Sequence, residues 1–179
     1  MSIYTKTGDN GTTGLFGGTR VTKDSLVIEV LGSIDELNAC IGILLSLQIS
    51  DKNIQDTFIK IQNNLFDIGT IIANTSKYQD ESFNTENISF LESIIDTFET
   101  KVEPLKNFIL PGGTNLASLT HFTRSVCRRT ERVLVSYKNS QSNKFVNELK
   151  YLNRLSDLLF VTARYINKLD STTEIIWKN

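Results

Sequence analysis

From Asp51 onward, Ile54, Phe58, Ile61, Leu65, Ile68 and Ile72 recur at alternating steps of four and three residues, and this run constrains the fold more than any other feature of the chain. Steps of four and three keep side chains on one stripe of a helix with 3.6 residues per turn, so the segment is predicted to be a long helix with a single buried face. Such a stripe needs partners. Ile88, Leu91, Ile95, Phe98 and Val102 repeat the spacing in a predicted helix that ends before Pro104. Ser33 and Glu36 form an S-x-x-E capping box, which predicts a helix reaching about Leu47 with Ile34, Leu37, Ile41 and Leu44 inward, after a short extended patch at residues 26–31. A polar stretch at 74–84 separates the second of these helices from the third. Thr114 or Asn115 can cap a fourth helix to about Tyr137. A fifth is predicted from near residue 142 to residue 167, with Phe145, Leu149, Leu152, Leu155, Leu159 and Ile166 inward. Connections are short, strand propensity is almost absent and no repeat occurs. The expected fold class is therefore all-α, an up-and-down bundle of four or five helices.

With 179 residues, 40% of them hydrophobic and 22% charged, the chain has the size and apolar content of one globular domain, expected to span 1–179. Nineteen Lys and Arg against 20 Asp and Glu leave a net charge of −1, which supplies no global field for nucleic acid or an anionic membrane. Any anion site must come from local clustering. The longest strongly apolar stretch, around residues 41–47, is far below the roughly 20 residues that span a bilayer, and charges and glycines at the N-terminus do not form a signal peptide. Cys40, Cys127 and the single histidine, His121, lack the spacing of a zinc set, and two distant cysteines make no disulfide scaffold. A reducing, cytoplasmic setting fits.

Two regions concentrate polar chemistry. Five of the ten glycines, at 8, 11, 14, 17 and 18, fall among Thr5, Thr7, Thr12 and Thr13, which predicts a loop. Its backbone N–H groups, hydroxyls and Lys6 have the makings of a phosphate cradle, with Arg20 and Lys23 placed to extend it. It is neither a Walker A loop nor G-x-G-x-x-G, and by composition it equally fits a flexible tail. On the fourth helix, His121, Arg124, Arg128, Glu131 and Arg132 fall within about a 100° arc, with Leu119, Phe122, Val126, Thr130 and Val133 opposite. Arginines 124, 128, 129 and 132 against one glutamate make the stretch locally +3. A solvated face is one reading; planar, bidentate contact with phosphate or carboxylate is the other. His121 by itself reads more readily as a hydrogen-bonded core histidine than as a catalyst. Asn153, Asp157 and Arg164 share a polar side of the fifth helix, and the apolar run at 108–113 closes on Pro111-Gly112-Gly113 as a fixed loop.

Three segments taken together resemble the PduO-type ATP:cob(I)alamin adenosyltransferases: Tyr4-Thr5-Lys6-Thr7-Gly8-Asp9-Asn10-Gly11-Thr12-Thr13 with Gly32-Ser33-Ile34-Asp35-Glu36-Leu37-Asn38; Phe108-Ile109-Leu110-Pro111-Gly112-Gly113 with Val126-Cys127-Arg128-Arg129-Thr130-Glu131-Arg132; and Tyr151-Leu152-Asn153-Arg154-Leu155-Ser156-Asp157. The resemblance implies transfer of the 5′-deoxyadenosyl group of ATP to the Co(I) of a reduced corrinoid, giving adenosylcobalamin and triphosphate. It implies a homotrimer with ATP and corrinoid bound at each subunit interface, residues 1–25 as the phosphate-binding loop and about 33–168 as the bundle. Thr5, Lys6, Thr7, Gly8, Gly11, Thr12, Thr13 and Lys23 then hold the triphosphate, and Arg128, Glu131, Arg132 and Asn153 hold the nucleotide. Mg²⁺ is expected to be carried mainly by the ATP phosphates. Asp35 and Arg124 correspond to a pair meeting across the subunit boundary, Phe108 to the aromatic residue under the corrin ring, and Trp177 is a candidate for closing the corrinoid pocket. Thr130 stands where the family usually has alanine. A cob(II)alamin reductase and an acceptor mutase are the implied protein partners. The competing reading is a regulatory bundle that senses ATP or a corrinoid without turnover; a purely structural helical adaptor leaves the glycine loop unexplained.

Overall fold

A computed structural model of the protein describes residues 3–74, 83–140 and 144–178. Five helices carry the fold: α1 (Leu26–Leu45), α2 (Lys52–Ala73), α3 (Glu86–Glu99), α4 (Asn115–Asn139) and α5 (Val146–Leu169). The helical bundle is the architecture the apolar periods predict. All six stripe residues of α2 are buried, and each such side chain contributes about 1.5–3 kcal/mol relative to exposure. Asp51 caps this helix, accepting from the Asn53 N–H at 2.8 Å, and Thr114 caps α4 by accepting from Ala117 N–H at 3.1 Å.

The contacts between helices fix their directions. Along α4 and α5, residue 114 meets 167, 121 meets 160, and 131 meets 153, so the two run antiparallel. On α3 and α5, 92 meets 154 and 98 meets 165, so these run the same way. α1 packs on α2 and α4. The Thr130 hydroxyl shares its proton between the Ser33 carbonyl of α1 at 3.0 Å and the Val126 carbonyl of its own helix at 3.2 Å, which ties α4 to α1. Asn64 Nδ2 donates to the Tyr151 hydroxyl at 3.1 Å and joins α2 to α5 inside the core.

Four expectations need correction. Residues 26–31, expected to be extended, form the first turns of α1, which begins seven residues before Ser33. Val27 and Val30 are buried in register with Ile34 and Leu37, so tertiary packing of one continuous stripe overrides the β-branched composition. Ser33 and Glu36 therefore lie inside the helix rather than boxing its start, and Glu36 pairs with Arg129 instead. The almost absent strand propensity conceals a small antiparallel hairpin, β1 (Thr12–Gly14) with β2 (Arg20–Thr22), in register Thr13 opposite Val21. α5 starts at Val146, after Phe145 in a left-handed conformation, and residues 141–143 and 75–82 lie outside the described residues.

The buried face of α4 is also rotated from the one expected. Val126 and Thr130 are buried as expected, but Thr120, His121, Thr123 and Cys127 are buried with them, while Phe122 is 56% exposed. These inward residues are small or polar, and their hydroxyls donate to helix carbonyls four residues back: Thr120 to Leu116, Thr123 to Leu119, Thr130 to Val126. A hydroxyl satisfied within its own helix can be buried at little cost, so hydrophobicity alone misplaces the face. Arg164, assigned to the polar side of α5, is likewise buried.

Candidate active site

The N-terminal loop is shaped by its own contacts. Gly11 sits at φ +77°, a conformation that favours glycine, and its carbonyl accepts from the Lys23 N–H at 2.9 Å. The Lys23 ammonium lies over Gly8, where a Cβ would come within 3.3 Å of Nζ. Arg20 Nη2 donates to the Thr7 carbonyl and the Thr12 hydroxyl, both at 2.6 Å, so this arginine staples the loop to the hairpin. Thr5 and Thr7 share a hydroxyl–hydroxyl bond at 2.9 Å. Of residues 3–20 only Leu15 is buried in the core; Thr5, Lys6, Thr7 and Gly11 are exposed. The structure thus gathers Gly8, Gly11, Thr12 and Lys23, with hydroxyls, N–H groups and an ammonium on one short segment.

A second polar cluster lies on α4 and α5. Asn153 Nδ2 donates to Glu131 Oε1 at 3.1 Å, which orients both beside a cleft of about 560 Å³ also lined by Thr85, Ser89, Lys150 and Arg154. Arg154 is itself held by Glu92 and Asp157, at 3.0 and 3.2 Å. The four arginines of α4 divide. Arg129 pairs with Glu36, and the Arg124 guanidinium lies 5.4 Å from the Phe160 ring centroid. Arg128 and Arg132 are exposed, and among the described residues neither guanidinium has an ion-pair partner. Two exposed guanidinium groups thus stand on α4 within a turn of the Glu131 that Asn153 orients. Asp35 is exposed on α1 and does not meet Arg124 within one chain. Nor does any hydrogen bond among the described residues join Thr5–Thr13 or Lys23 to Arg128, Glu131, Arg132 or Asn153.

The third cluster surrounds Phe108, which is 79% exposed. Its backbone is paired with the C-terminal tail: Ile109 bridges Ile176, the Leu110 N–H donates to the Ile175 carbonyl, and the Trp177 N–H donates to the Phe108 carbonyl, both at 2.8 Å. This pairing brings the two rings edge to face, centroids 6.3 Å apart. Phe108 lines two clefts, one of about 620 Å³ with Lys106 and Trp177, the other of about 670 Å³ with Arg124, Phe160 and Asp157. Asn167 braces the loop from behind, donating to the Gly112 carbonyl at 2.9 Å and accepting from the Thr114 N–H at 3.0 Å. Gly113, at φ +113°, has no room for a Cβ, which would lie 2.1 Å from Asn167 Oδ1. Sequence reasoning missed the roles of Asn167 and Glu174 altogether, because helical spacing put Arg164 on the polar side of α5 and gave it no need of a buried partner.

Two buried titratable groups stay outside this chemistry. His121 packs against Phe160, and burial, followed by the nearby Arg124 charge, pushes its imidazole below the usual histidine range. Burial pushes the Cys127 thiol up, and its Sγ donates to the Leu152 carbonyl, so it serves packing. Among the described residues no group of three or more His, Cys, Asp and Glu could hold a metal ion, and no helix is long and apolar enough to cross a membrane.

Known proteins share both the sequence and the shape. A corrinoid adenosyltransferase of Bacillus subtilis is 44% identical over 172 residues, covering 93% of this chain and 87% of its own. A solved phenylalanine-to-histidine variant of the PduO-type ATP:corrinoid adenosyltransferase of Lactobacillus reuteri, complexed with cobalamin and ATP, superposes with a TM-score of 0.92 at 35% identity, over 99% of this chain and 97% of the other. An arginine-to-lysine variant of the same enzyme, complexed with ATP, superposes with a TM-score of 0.91 at 34% identity, over 98% and 100%. The cobalamin adenosyltransferase family profile matches residues 3–166, a span that includes the glycine loop, the arginine stripe and Phe108; the chain belongs to the cobalamin adenosyltransferase family.

Proposed function

We propose that this protein transfers the 5′-deoxyadenosyl group of ATP to the Co(I) of a reduced corrinoid, acting as one domain over 1–179. In that reaction the Co(I) electron pair attacks the 5′ carbon, the carbon–oxygen bond breaks, and triphosphate leaves with its electrons as cobalt becomes formally Co(III). The protein need not move a proton. It must hold nucleophile and carbon in line and neutralise a highly charged leaving group. Thr5, Lys6, Thr7, Gly8, Gly11, Thr12, Thr13 and Lys23 supply donors and charge for the triphosphate, and Arg128, Glu131, Arg132 and Asn153 hold the nucleotide. Mg²⁺ enters with the phosphates. Phe108 presses on the lower face of the corrin, excluding water and an axial ligand, so that four-coordinate Co(II) is more easily reduced.

The observation that carries this reading is Phe108 itself, an aromatic ring held 79% exposed by backbone pairing and flanked by Trp177 and two clefts. Unlike the isolated exposed ring of Phe66, Phe108 is fixed beside a second exposed ring, Trp177, and a contiguous apolar patch of this kind marks a binding surface. In the Lactobacillus reuteri structures, the varied phenylalanine and arginine stand the same number of residues apart as Phe108 and Arg128 do here. No hydrogen bond among the described residues joins the loop cluster to the α4 cluster within one chain, which fits a homotrimer in which neighbouring subunits complete each ATP and corrinoid site, with Asp35 and Arg124 meeting across the boundary. We assign the enzyme to the cytoplasm, with a cob(II)alamin reductase supplying reduced corrinoid and a mutase accepting the product.

Mixing the protein with ATP and chemically reduced cobalamin tests the reaction directly. The expected result is the absorbance of a Co–C bond that light destroys. Bound ATP with no spectral change would instead make the protein a sensor. For the assembly, Asp35→Asn and Arg124→Ala should each lower activity or the sedimenting mass, because each leaves a charge unpaired in an interface, and a reciprocal swap should restore part of it. A monomer with full activity would overturn the trimer.

A further inference from the structure

We propose that Arg164 is a positioning residue for the corrinoid-facing side of the protein: through Glu174 it locks the C-terminal strand, and with it Phe108 and Trp177, into one arrangement. The inference rests on the transferase reading above and names a residue that touches neither substrate.

Arg164 lies near the C-terminal end of α5 and is 8% exposed, yet it carries a full charge. Its fork is used from both ends. Nε donates to Glu174 Oε1 at 2.9 Å, while Nη2 donates to Glu174 Oε2 at 3.1 Å and to the Glu103 carbonyl at 2.8 Å. One side chain thus ties together three stretches that are distant in sequence: the helix, the segment entering the Phe108 loop and the tail. An apolar side chain at 164 would serve burial as well as this ion pair does, since a buried pair rarely adds stability over well-packed hydrophobic residues. What the planar fork adds is direction, because both carboxylate oxygens and the carbonyl must lie at set places around it.

The tail needs such an anchor. Beyond Glu174 it is held to the loop by two backbone bonds, Leu110 N–H to Ile175 and Phe108 carbonyl from Trp177, and Ile175, Ile176 and Trp177 are all exposed. A strand pair this short does not persist alone in water. Asn167, one turn after Arg164, fixes the far end of the same loop through Gly112 and Thr114, so the last turns of α5 set the loop from both sides.

Trp177 is the only tryptophan of the chain, so its fluorescence reports the tail without a label. Glu174→Gln removes the charge, and Arg164→Lys keeps the charge but loses the fork; circular dichroism on both checks that the bundle is intact. In both variants Trp177 emission should shift to the red and become more open to acrylamide. The KM for cob(I)alamin should rise about tenfold with little change in the KM for ATP. Glu174→Asp should restore part of both signals. Unchanged Trp177 fluorescence in both variants overturns the clamp, and a loosened Trp177 with an unchanged corrinoid KM overturns its role in positioning. Equal rises in both KM values would mark a general structural effect and also overturn it. A wild-type protein that leaves cob(I)alamin unaltered defeats the transferase reading and the positioning role together, and that failure is told apart because it appears before any substitution is made.

Discussion

The two ends of the chain are built in opposite ways. The N-terminal segment through Lys23 is shaped largely by bonds within itself, from Arg20, a hairpin of two three-residue strands and the Lys23 N–H to Gly11, and Leu15 alone of residues 3–20 is buried in the core. The C-terminal segment is pinned to the core by a buried arginine and forms a wall with Phe108. In the proposed reaction, a loop that meets a flexible, highly charged triphosphate gains from donors that can adjust, with ordering left to the ligand. A wall that presses on a rigid macrocycle must be set beforehand. The polar end is left open to solvent, whereas the pairing of Phe108 with Trp177 is set within one chain.

Matched glycine substitutions give the largest contrast between the ends. Gly113→Ala adds a methyl at positive φ against an Asn167 amide that is already held on both sides, and should cost about 2–5 kcal/mol. Gly11→Ala is also at positive φ but meets open space, and should cost only about 1 kcal/mol, expressed as weaker ATP binding. Thermal melts of the two variants decide the matter; equal losses would erase the distinction. Next in size, Arg128→Ala and Arg132→Ala should each weaken ATP binding by about 1.5–3 kcal/mol, roughly ten- to a hundredfold, because a charge-assisted phosphate contact is lost. Their melting temperatures should hardly move, since both side chains are exposed. Nucleotide titration against the same samples used for melting separates binding from folding, and unaltered affinity would reduce the stripe to a solvated face.

Phe108→Ala tests the other wall. Its ring is exposed, so stability should change by less than about 1 kcal/mol, while turnover that starts from Co(II) should fall more than turnover from chemically supplied Co(I). The electron paramagnetic resonance signal of four-coordinate Co(II) with ATP present should shrink in the variant; a full signal with a large drop in melting temperature would assign the ring to packing. The smallest effect belongs to His121. Its folded-state pKa lies below the ordinary 6.5, so the unfolded chain binds the proton first. Stability is full above that value and declines as pH falls through it toward the folded pKa. Because His121 is the only histidine, the melting temperature between pH 7.5 and 5.5 should slope less in His121→Gln than in wild type.

Legibility in the sequence followed how local each cause is. The stripe of α2 needed only a period, and Thr114 needed only its own next few residues to act as a cap. The glycine loop and the arginine stripe stood out by residue type and spacing, but their roles, and that of the aromatic residue before Pro111-Gly112-Gly113, were implied only by the family resemblance. The buried face of α4 was not, since Thr120, Thr123 and Thr130 hide their polarity in bonds to their own helix. The start of α1 was misplaced because residues 26–31 favour a strand in isolation and a helix only when Val27 and Val30 have a core to enter.

By itself, then, the amino-acid order determined the bundle and its helices to within a few residues, the start of α1 excepted, because periodicity and capping act over single turns of chain. Tertiary structure alone decided that Arg164 turns inward to Glu174, that Asn167 fills the space Gly113 leaves, and that Trp177 stands beside Phe108. These are contacts between segments separated by up to about seventy residues, and no local pattern records which distant partner will neutralise a buried charge or occupy a missing Cβ.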